Sequence, residues 1–572
     1  MATPSTAVAL PLVRTVQVAT TVTLIRPPVV VPVDSFAYVA PIPPIGLAYI
    51  AGALRQAGHV VHVVDATGEA PEQTTDFTAA TGEMRRIGLT LEEIVERIPP
   101  TTKVVGITHM FLHEWPTVRE LAELVKRRHP DAFVVLGGEN ATAFRQWIFE
   151  ETAAVDCCVL GEGEATAVEL VGRIAAGAPL TGLRGIARRA VDREPGGGTE
   201  QLPVRIRALT TIPRPAWDLF PMDNYLRFHD EIGTARSRSM PMLATRGCPY
   251  KCSFCSSPQM WTTRYQVRDP EDLVDEIEDY VRRYDIDTVV FVDLTAITKH
   301  NWTLAFCDAL EARGLGTKWR VPVGTRSEGL DEHVIQRMKD AGCQSMTLAP
   351  EHGSQHMLDV FDKRVDLDHI FEAIRAARKV GMATHVNTVI GHPAETWPDR
   401  WKNLVFLVRA ALAGATTGAA YIFHPYPGSR DFQELLEAGQ LTVDEKYVYD
   451  GLAIGTSGNH SWNPTLSARS LYRTHAVMKA SFELTSLARD PRRAVKTARA
   501  VFEEDTDTLG DANLRDKAHG PVGVRFSDVY DTRLAALWLR WRVRTRGNER
   551  TALPAEGPVA AERPDTIESA RT

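Results

Sequence analysis

Cysteine is scarce in this chain: 572 residues hold seven, at positions 157, 158, 248, 252, 255, 307 and 343. So sparse and odd a set gives no disulfide framework, which excludes a cross-linked secreted scaffold and makes a reducing cytoplasm the expected location. Strong charge of either sign is lacking too. The formal net charge is −7 with 24% charged residues, which argues against nucleic acid as the main partner. Long apolar runs are missing. Residues 404–423 come nearest to a membrane span, but Arg409 and several Gly and Thr residues interrupt them, and a buried helix followed by a strand fits better. Near the start, Pro4 and Pro11 break the apolar run, and the first basic residue, Arg14, comes too late for a signal-peptide n-region. There are no internal repeats. What remains is an ordinary globular composition, 44% hydrophobic, with length for about three to four domains.

Periodicity then divides the chain. After an extension over 1–19, short β-branched runs alternate with helical patterns across 20–180. Strands are expected at 22–25, 60–64, 104–108, 133–136 and 155–160, with helices at 45–57, 117–128 and 163–175. Such alternation implies a parallel, doubly wound, Rossmann-like sheet. A connector rich in Gly, Pro and Arg, 181–236, is expected to carry little core of its own. Across 237–436 the alternation resumes as six strand–helix units, with strands near 242–246, 288–293, 318–324, 344–349, 384–390 and 418–423. Six parallel units make an open, partial (βα)6 barrel, so the fold class is α/β. Residues 437–545 read as helical, and 546–572 as a disordered tail.

The chemistry gathers at one edge of the second unit. Cys248, Cys252 and Cys255 lie in Arg246-Gly-Cys-Pro-Tyr-Lys-Cys-Ser-Phe-Cys, three thiols within eight residues and no fourth nearby. A closed zinc site or a fully ligated electron-transfer cluster normally takes four ligands; three on a four-iron cluster leave one iron open. A zinc knuckle completed by a distant histidine, or three unrelated buried thiols, are the other readings of such a loop. Asp293, Arg326, Glu351, the Gly391 loop and the Pro425 loop each fall at or just after a strand's C-terminal end, the edge that holds active sites in parallel α/β folds. The C-x3-C-x2-C spacing, with the aromatic Phe254 before the last cysteine, resembles the radical S-adenosylmethionine (SAM) superfamily over about 200 residues. That resemblance implies a [4Fe-4S] cluster on the three cysteines and SAM chelating the open iron. In Leu348-Ala-Pro-Glu-His-Gly-Ser354 it gives Glu351 the SAM amino group or ribose, where many relatives read Gly-Glu-Ser. It gives Arg326, in Gly324-Thr-Arg-Ser, the SAM carboxylate, and Gly391, in Gly391-His-Pro-Ala-Glu-Thr396, a backbone approach to adenine. Asp293-Leu-Thr295 departs from the paired acids common at that position.

Three N-terminal stretches resemble the cobalamin-binding group within that superfamily. They are Pro43-Pro-Ile-Gly-Leu-Ala-Tyr-Ile-Ala-Gly52, Ala57-Gly-His-Val-Val-His-Val-Val-Asp65, and Gly161-Glu-Gly-Glu-Ala-Thr166, which carries Gly161 and Glu162. Thr108 and the pair Gly137 and Gly138 fall where cobalamin domains place a hydroxyl and glycines around the buried nucleotide tail. The Asp-x-His-x-x-Gly loop that ligates cobalt from below in many such domains is replaced by Arg26-Pro-Pro-Val. Cys157 and Cys158, adjacent in a strand, point to opposite faces and suit core packing rather than a second cluster.

The combined resemblance implies a cobalamin-dependent radical SAM enzyme, most simply one that methylates an unactivated carbon of a small-molecule biosynthetic intermediate. One SAM would give the 5′-deoxyadenosyl radical and a second would remethylate the cobalt. It also implies an external electron donor such as flavodoxin or ferredoxin, and an N-terminal sheet packed over the barrel's C-terminal rim. The alternatives are a cyclase, ring-contraction or oxidation enzyme without net methylation, a methyltransferase acting on phosphorus or sp2 carbon, and a non-catalytic corrinoid- or metal-binding protein.

Overall fold

A computed structural model describes residues 18–33, 42–189, 205–227, 237–452 and 460–490. The N-terminal strands are β1 (Thr21–Arg26), β2 (Val29–Pro32), β3 (Val60–Asp65), β4 (Thr74–Ala79), β5 (Gly82–Ile87), β6 (Thr102–Thr108), β7 (Phe133–Gly137), β8 (Cys157–Val159) and β9 (Ile186–Ala187). The main sheet runs β3-β1-β6-β7-β8-β9, parallel except for the last pair. Its strands are apolar on both faces, as a doubly wound sheet requires. Val22, Leu24, Val104, Val135 and Cys157 enter one core, and Ile25, Val105, Val134, Leu136 and Cys158 the other. The two adjacent cysteines therefore do part to opposite faces.

A small antiparallel sheet, β2-β5-β4, was not expected from the sequence. Its hairpin turns at Gly82, φ +124°, and its strands are largely exposed, so they carry little of the apolar alternation by which strands are read. The connector also differs from expectation. Trp217 is 1% exposed and donates its indole N–H to Tyr280 Oη (2.9 Å), while Tyr225 donates to Asp65 (2.5 Å). Gly52 is needed for this packing, since a Cβ there would stand 2.4 Å from the carbonyl oxygen of Arg214. The connector is thus a strap whose aromatic residues fill the cores on either side.

The second unit contains β10 (Ser239–Met242), β11 (Thr245–Arg246), β12 (Gln266–Val267), β13 (Thr288–Phe291), β14 (Lys318–Thr325), β15 (Cys343–Glu351), β16 (Ala383–Ile390) and β17 (Thr417–Ile422). Six of them form one parallel sheet in the order β10-β13-β14-β15-β16-β17, the expected partial barrel. The first strand ends at Met242, four residues short of its expected end. Asp293, 1% exposed, explains why: it accepts the N–H groups of Ala244 and Thr245 and the Thr245 hydroxyl (2.6 Å). That carboxylate draws the chain off the sheet, and Thr245–Arg246 pair antiparallel with β12 instead. The membrane-like stretch becomes the helix Trp397–Ala413 followed by β17, and no helix among the described residues is long and apolar enough to cross a membrane. In the C-terminal region, the helices Glu445–Asp450 and Ala468–Arg489 are described; the expectations for 491–545 and for the tail fall outside the described residues.

Both units lie within one compact body, and a buried ion pair joins them. Arg246, 6% exposed, donates to Glu164 (2.5 Å) and to Glu162 (3.3 Å), while Glu162 also meets Arg205 (3.3 Å) and accepts the N–H of Ile206 (2.9 Å). Burial alone would disfavour ionised Glu164, but the charge and hydrogen bond of Arg246 outweigh it and lower its pKa. The stability this supplies is present above the carboxyl's unfolded value of 4.5 and is lost as pH falls below it. Arg246→Ala strands the buried Glu164 carboxylate, leaves Glu162 with Arg205 alone, and is expected to cost about 3–5 kcal/mol; chemical denaturation at pH 7.5 measures it, and the loss should shrink when Glu164 is also made Gln.

Candidate functional site

The cysteine loop leaves β11 already fixed by the Arg246 ion pair and is held at two further points. Ser253 donates its hydroxyl to Asp431 (3.1 Å) and its N–H to the Phe361 carbonyl (3.0 Å), and its own carbonyl accepts the Asp431 N–H (3.1 Å). Ser256 donates to Glu139 (2.5 Å), at the start of the helix Glu139–Ala143 that follows β7. Between these anchors Cys248, Cys252 and Cys255 are half-buried, whereas the other four cysteines are fully buried. Burial raises the Cys252 thiol and pushes Cys255 up to about 11, and each feels its neighbouring cysteine, Cys248 and Cys252 respectively. Thiols so placed ionise when a metal takes the proton's place. Among the described residues no three His, Cys, Asp or Glu side chains converge on a point suited to a single metal ion; ligands to separate irons of one cluster need no such convergence.

Phe254 stacks edge-to-face on Phe361 (5.2 Å), which meets His392 (5.2 Å), which meets Phe423 (4.7 Å). This row of rings backs the cysteine loop along the rim. His392 accepts the Ala394 N–H at Nδ1 (3.1 Å), so its proton sits on Nε2, facing Asp431 (3.3 Å).

Beside the loop, Arg326 leaves the end of β14 at 4% exposure, with its guanidinium 3.6 Å over the Tyr250 ring. Its Nε (2.8 Å) and Nη2 (2.5 Å) donate to Glu328, Nη2 also reaches the Arg364 carbonyl, and Nη1 is buried with no partner. A buried guanidinium with one free donor suits a carboxylate. Glu351 closes β15 at φ +70°, a conformation that costs a non-glycine residue and recurs at functional sites. It accepts from Lys363 Nζ (2.8 Å). Burial opposes the charge on Lys363, 8% exposed, but Glu351 and Cys252 hold its pKa above the ordinary value. Lys363 and Tyr250 were not foreseen: Lys363 lies twelve residues past Glu351 in a turn, and no spacing marks it.

The loops after β15 and β16 are tied by one buried pair. His352 accepts the Ser354 N–H at Nδ1 (3.0 Å), so Nε2 donates to Glu395 (3.1 Å), whose second oxygen accepts the Gly391 N–H (2.7 Å). Gly391 sits at φ +85°, the left-handed region that favours glycine, and a Cβ there would also press on the Leu471 side chain of the C-terminal helix (2.8 Å).

On the N-terminal sheet, Thr108 and Gly137 are cross-strand partners at the C-terminal ends of β6 and β7. A Cβ on Gly137 would project into open space, the kind of cradle an inserted tail would fill. Gly138, φ +119°, instead abuts backbone, with a Cβ 2.6 Å from the His109 carbonyl oxygen. Gly161, φ +63°, donates its N–H to Thr142 Oγ1 (3.0 Å), and the Glu162 carboxylate is committed to Arg205 and Arg246. His109 and His113, on the loop after β6, are depressed by burial to about 3 and about 4.

Comparison with known proteins agrees with this geometry. Residues 36–171 match the B12 binding domain model and residues 242–407 the radical SAM superfamily model. The chain is 27% identical to an uncharacterized methyltransferase, PH0819, of Pyrococcus horikoshii, over 68% of this chain and 77% of that protein. It is 31% identical to the anaerobic magnesium-protoporphyrin IX monomethyl ester cyclase of Cereibacter sphaeroides, over 71% of this chain and 62% of that one. The fold resembles the radical SAM methyltransferase TsrM from Kitasatospora setae, solved with cobalamin and a [4Fe-4S] cluster bound, with TM-score 0.54 and 20% identity over 73% of this chain and 78% of that one. With a B12-binding sheet whose edge loop bonds to the cysteine loop of a partial barrel, the chain belongs to the cobalamin-binding radical SAM proteins.

Proposed function

We propose that this protein is a cobalamin-dependent radical SAM enzyme that methylates an unactivated carbon of a small-molecule biosynthetic intermediate. The observation that carries the reading is the bond from Ser256 to Glu139 (2.5 Å): the segment after β7 touches the cysteine loop, which brings the two cofactor edges side by side. In this reading residues 20–180 hold cobalamin and 237–436 the cluster and SAM. Bound together, the cluster and SAM supply a carbon radical able to take hydrogen from the substrate, and cobalamin supplies the methyl group. The chain's own residues bind and orient. Cys248, Cys252 and Cys255 ligate the cluster, with Phe254 packed behind them. Arg326 offers Nη1 to the SAM carboxylate, and Glu351, oriented by Lys363, accepts from its amino group. Thr108 and Gly137 border the cradle for the nucleotide tail, and the ion pair of Arg246 with Glu162 and Glu164 keeps the two edges at fixed separation.

A second reading, the same cofactors without net methylation, is favoured by the similarity to a cyclase. A non-catalytic corrinoid carrier has no use for the free donor of Arg326 beside three half-buried thiols. Electrons would come from a flavodoxin or ferredoxin, and the sparse free cysteines suit the cytoplasm.

Alanine at Cys248, Cys252 or Cys255 is expected to abolish cluster assembly, read as loss of iron and of visible absorption after anaerobic reconstitution; a full cluster in any of the three would refute the ligand set. Arg326→Gln is expected to keep the cluster and weaken SAM binding about tenfold or more, the worth of a charge-assisted hydrogen bond, as measured by calorimetry. Reconstituted protein given cobalamin, reductant and SAM should form 5′-deoxyadenosine, and S-adenosylhomocysteine beside it would select methylation over the cyclase-like reading.

A further inference from the structure

Two helices on the outside of the barrel turn apolar side chains to water. Trp397, Trp401, Val405 and Leu412 recur along the helix Trp397–Ala413 at the period of one helical face, and Val477 and Leu484 do so on the helix Ala468–Arg489. All six are exposed, and all but Val405 by more than half. The two indoles stack in parallel (6.3 Å, 6°), so they stand as one flat apolar block. The opposite sides of the same helices already supply the core, through Phe406 and Leu407 on the first and Met478 and Phe482 on the second. The exposed residues therefore form a second apolar face.

The two halves of that face lie side by side. Leu471, near the start of the second helix, abuts Gly391 just before the first, and Arg489, at its end, abuts Gly414 at the end of the first. The helices thus run parallel and packed on each other. Single exposed apolar residues are ordinary on a protein surface, but a line of them on two adjoining helices marks a contact. Charge indicates the kind of contact. The chain carries a net charge of −7, yet the exposed charged residues of these two helices, Lys402, Arg409, Arg469, Arg473 and Lys479, are all basic. Their two acids are withdrawn, Asp399 being buried and Glu483 half-buried. Arg409 stands over the Phe371 ring (4.4 Å) and meets Asp368 of the neighbouring helix at 3.9 Å, an exposed pair of little worth.

We infer that this two-helix face docks on a membrane surface rich in anionic lipid. The tryptophan pair, Val405, Leu412, Val477 and Leu484 enter the boundary between headgroups and acyl chains, and the cations around them meet lipid phosphates. Indole suits that depth because its ring is apolar while its N–H reaches water or headgroup oxygen. Lysine and arginine carry their charge out to phosphate on stems that stay among apolar groups. An anionic leaflet attracts each cation within about a Debye length. Neither helix has to span the bilayer. Trp397 directly follows the loop 391–396, so docking on this face sets the barrel's C-terminal rim beside the membrane. The inference is independent of the reaction, since neither helix carries a residue assigned to a cofactor.

The test is sedimentation of the full chain with vesicles. Vesicles of phosphatidylglycerol and phosphatidylcholine in equal parts are expected to bind at least about tenfold tighter than phosphatidylcholine alone in about 0.1 M NaCl, and about 0.5 M NaCl should remove most of the difference. Trp397→Ser with Trp401→Ser should weaken binding to the mixed vesicles about tenfold. Lys402→Glu with Lys479→Glu should weaken it about tenfold or more. Both variants should keep the circular dichroism of the wild type; if either does not, Val405→Ser with Leu484→Ser takes its place. Brominated acyl chains should quench wild-type tryptophan emission, and most of that quenching should vanish with Trp397 and Trp401. No binding to the mixed vesicles, equal binding to phosphatidylcholine alone, or full binding by a folded tryptophan variant would overturn the inference. So would a wild-type dimer that ignores vesicles and that the tryptophan variant splits into monomers, since the face would then belong to a second copy of the chain.

Discussion

Everything in the site depends on one buried guanidinium. Arg246 stands two residues before the first cysteine and is held by two carboxylates from the other domain. In a low-dielectric interior such an arrangement tolerates little displacement, because moving either side leaves charge unpaired. The first cofactor loop is therefore positioned relative to the B12-binding sheet by electrostatics, and relative to its own barrel by hydrogen bonds that Thr245 and Ser253 donate to Asp293 and Asp431. In the Gly-Glu-Gly-Glu run, Glu162 and Glu164 form the clamp between the two domains.

The rim beyond the loop follows a different rule. There, histidines connect loops that share no strand pairing: His352 with Glu395 joins the turns after β15 and β16, and His392 with Asp431 joins the loop after β16 to the helix after β17. An imidazole offers a donor on one nitrogen and an acceptor on the other, so one ring can join two loops. Arginine and lysine pairs appear beside the cofactor loops, at Arg246 and at Lys363 with Glu351; histidine–carboxylate pairs brace the rest of the rim.

How much of this could be read from the sequence follows from which forces leave a periodic trace. The parallel strands of both sheets were legible because burial on both faces writes continuous apolar runs, and Cys157 and Cys158 were assigned to opposite cores from the two-residue period alone. The three-cysteine loop was legible because its ligands are local in sequence. Lys363 and the stacking of Tyr250 on Arg326 were not, since their contacts join residues apart in the chain. The sheet β2-β5-β4 escaped because exposed strands carry few apolar residues. The first barrel strand was placed four residues too far along because one distant carboxylate, Asp293, decides where it ends.

The fit of Leu471 into the place of a missing methyl at Gly391 bears on how this protein can be recombined. The fifth loop of the barrel runs directly under one leucine of the C-terminal helix, so a side chain added at 391 and that leucine would have to adjust to one another. A chimera that joins this barrel to a relative's C-terminal region therefore changes what lies over the fifth loop as well as the helix itself.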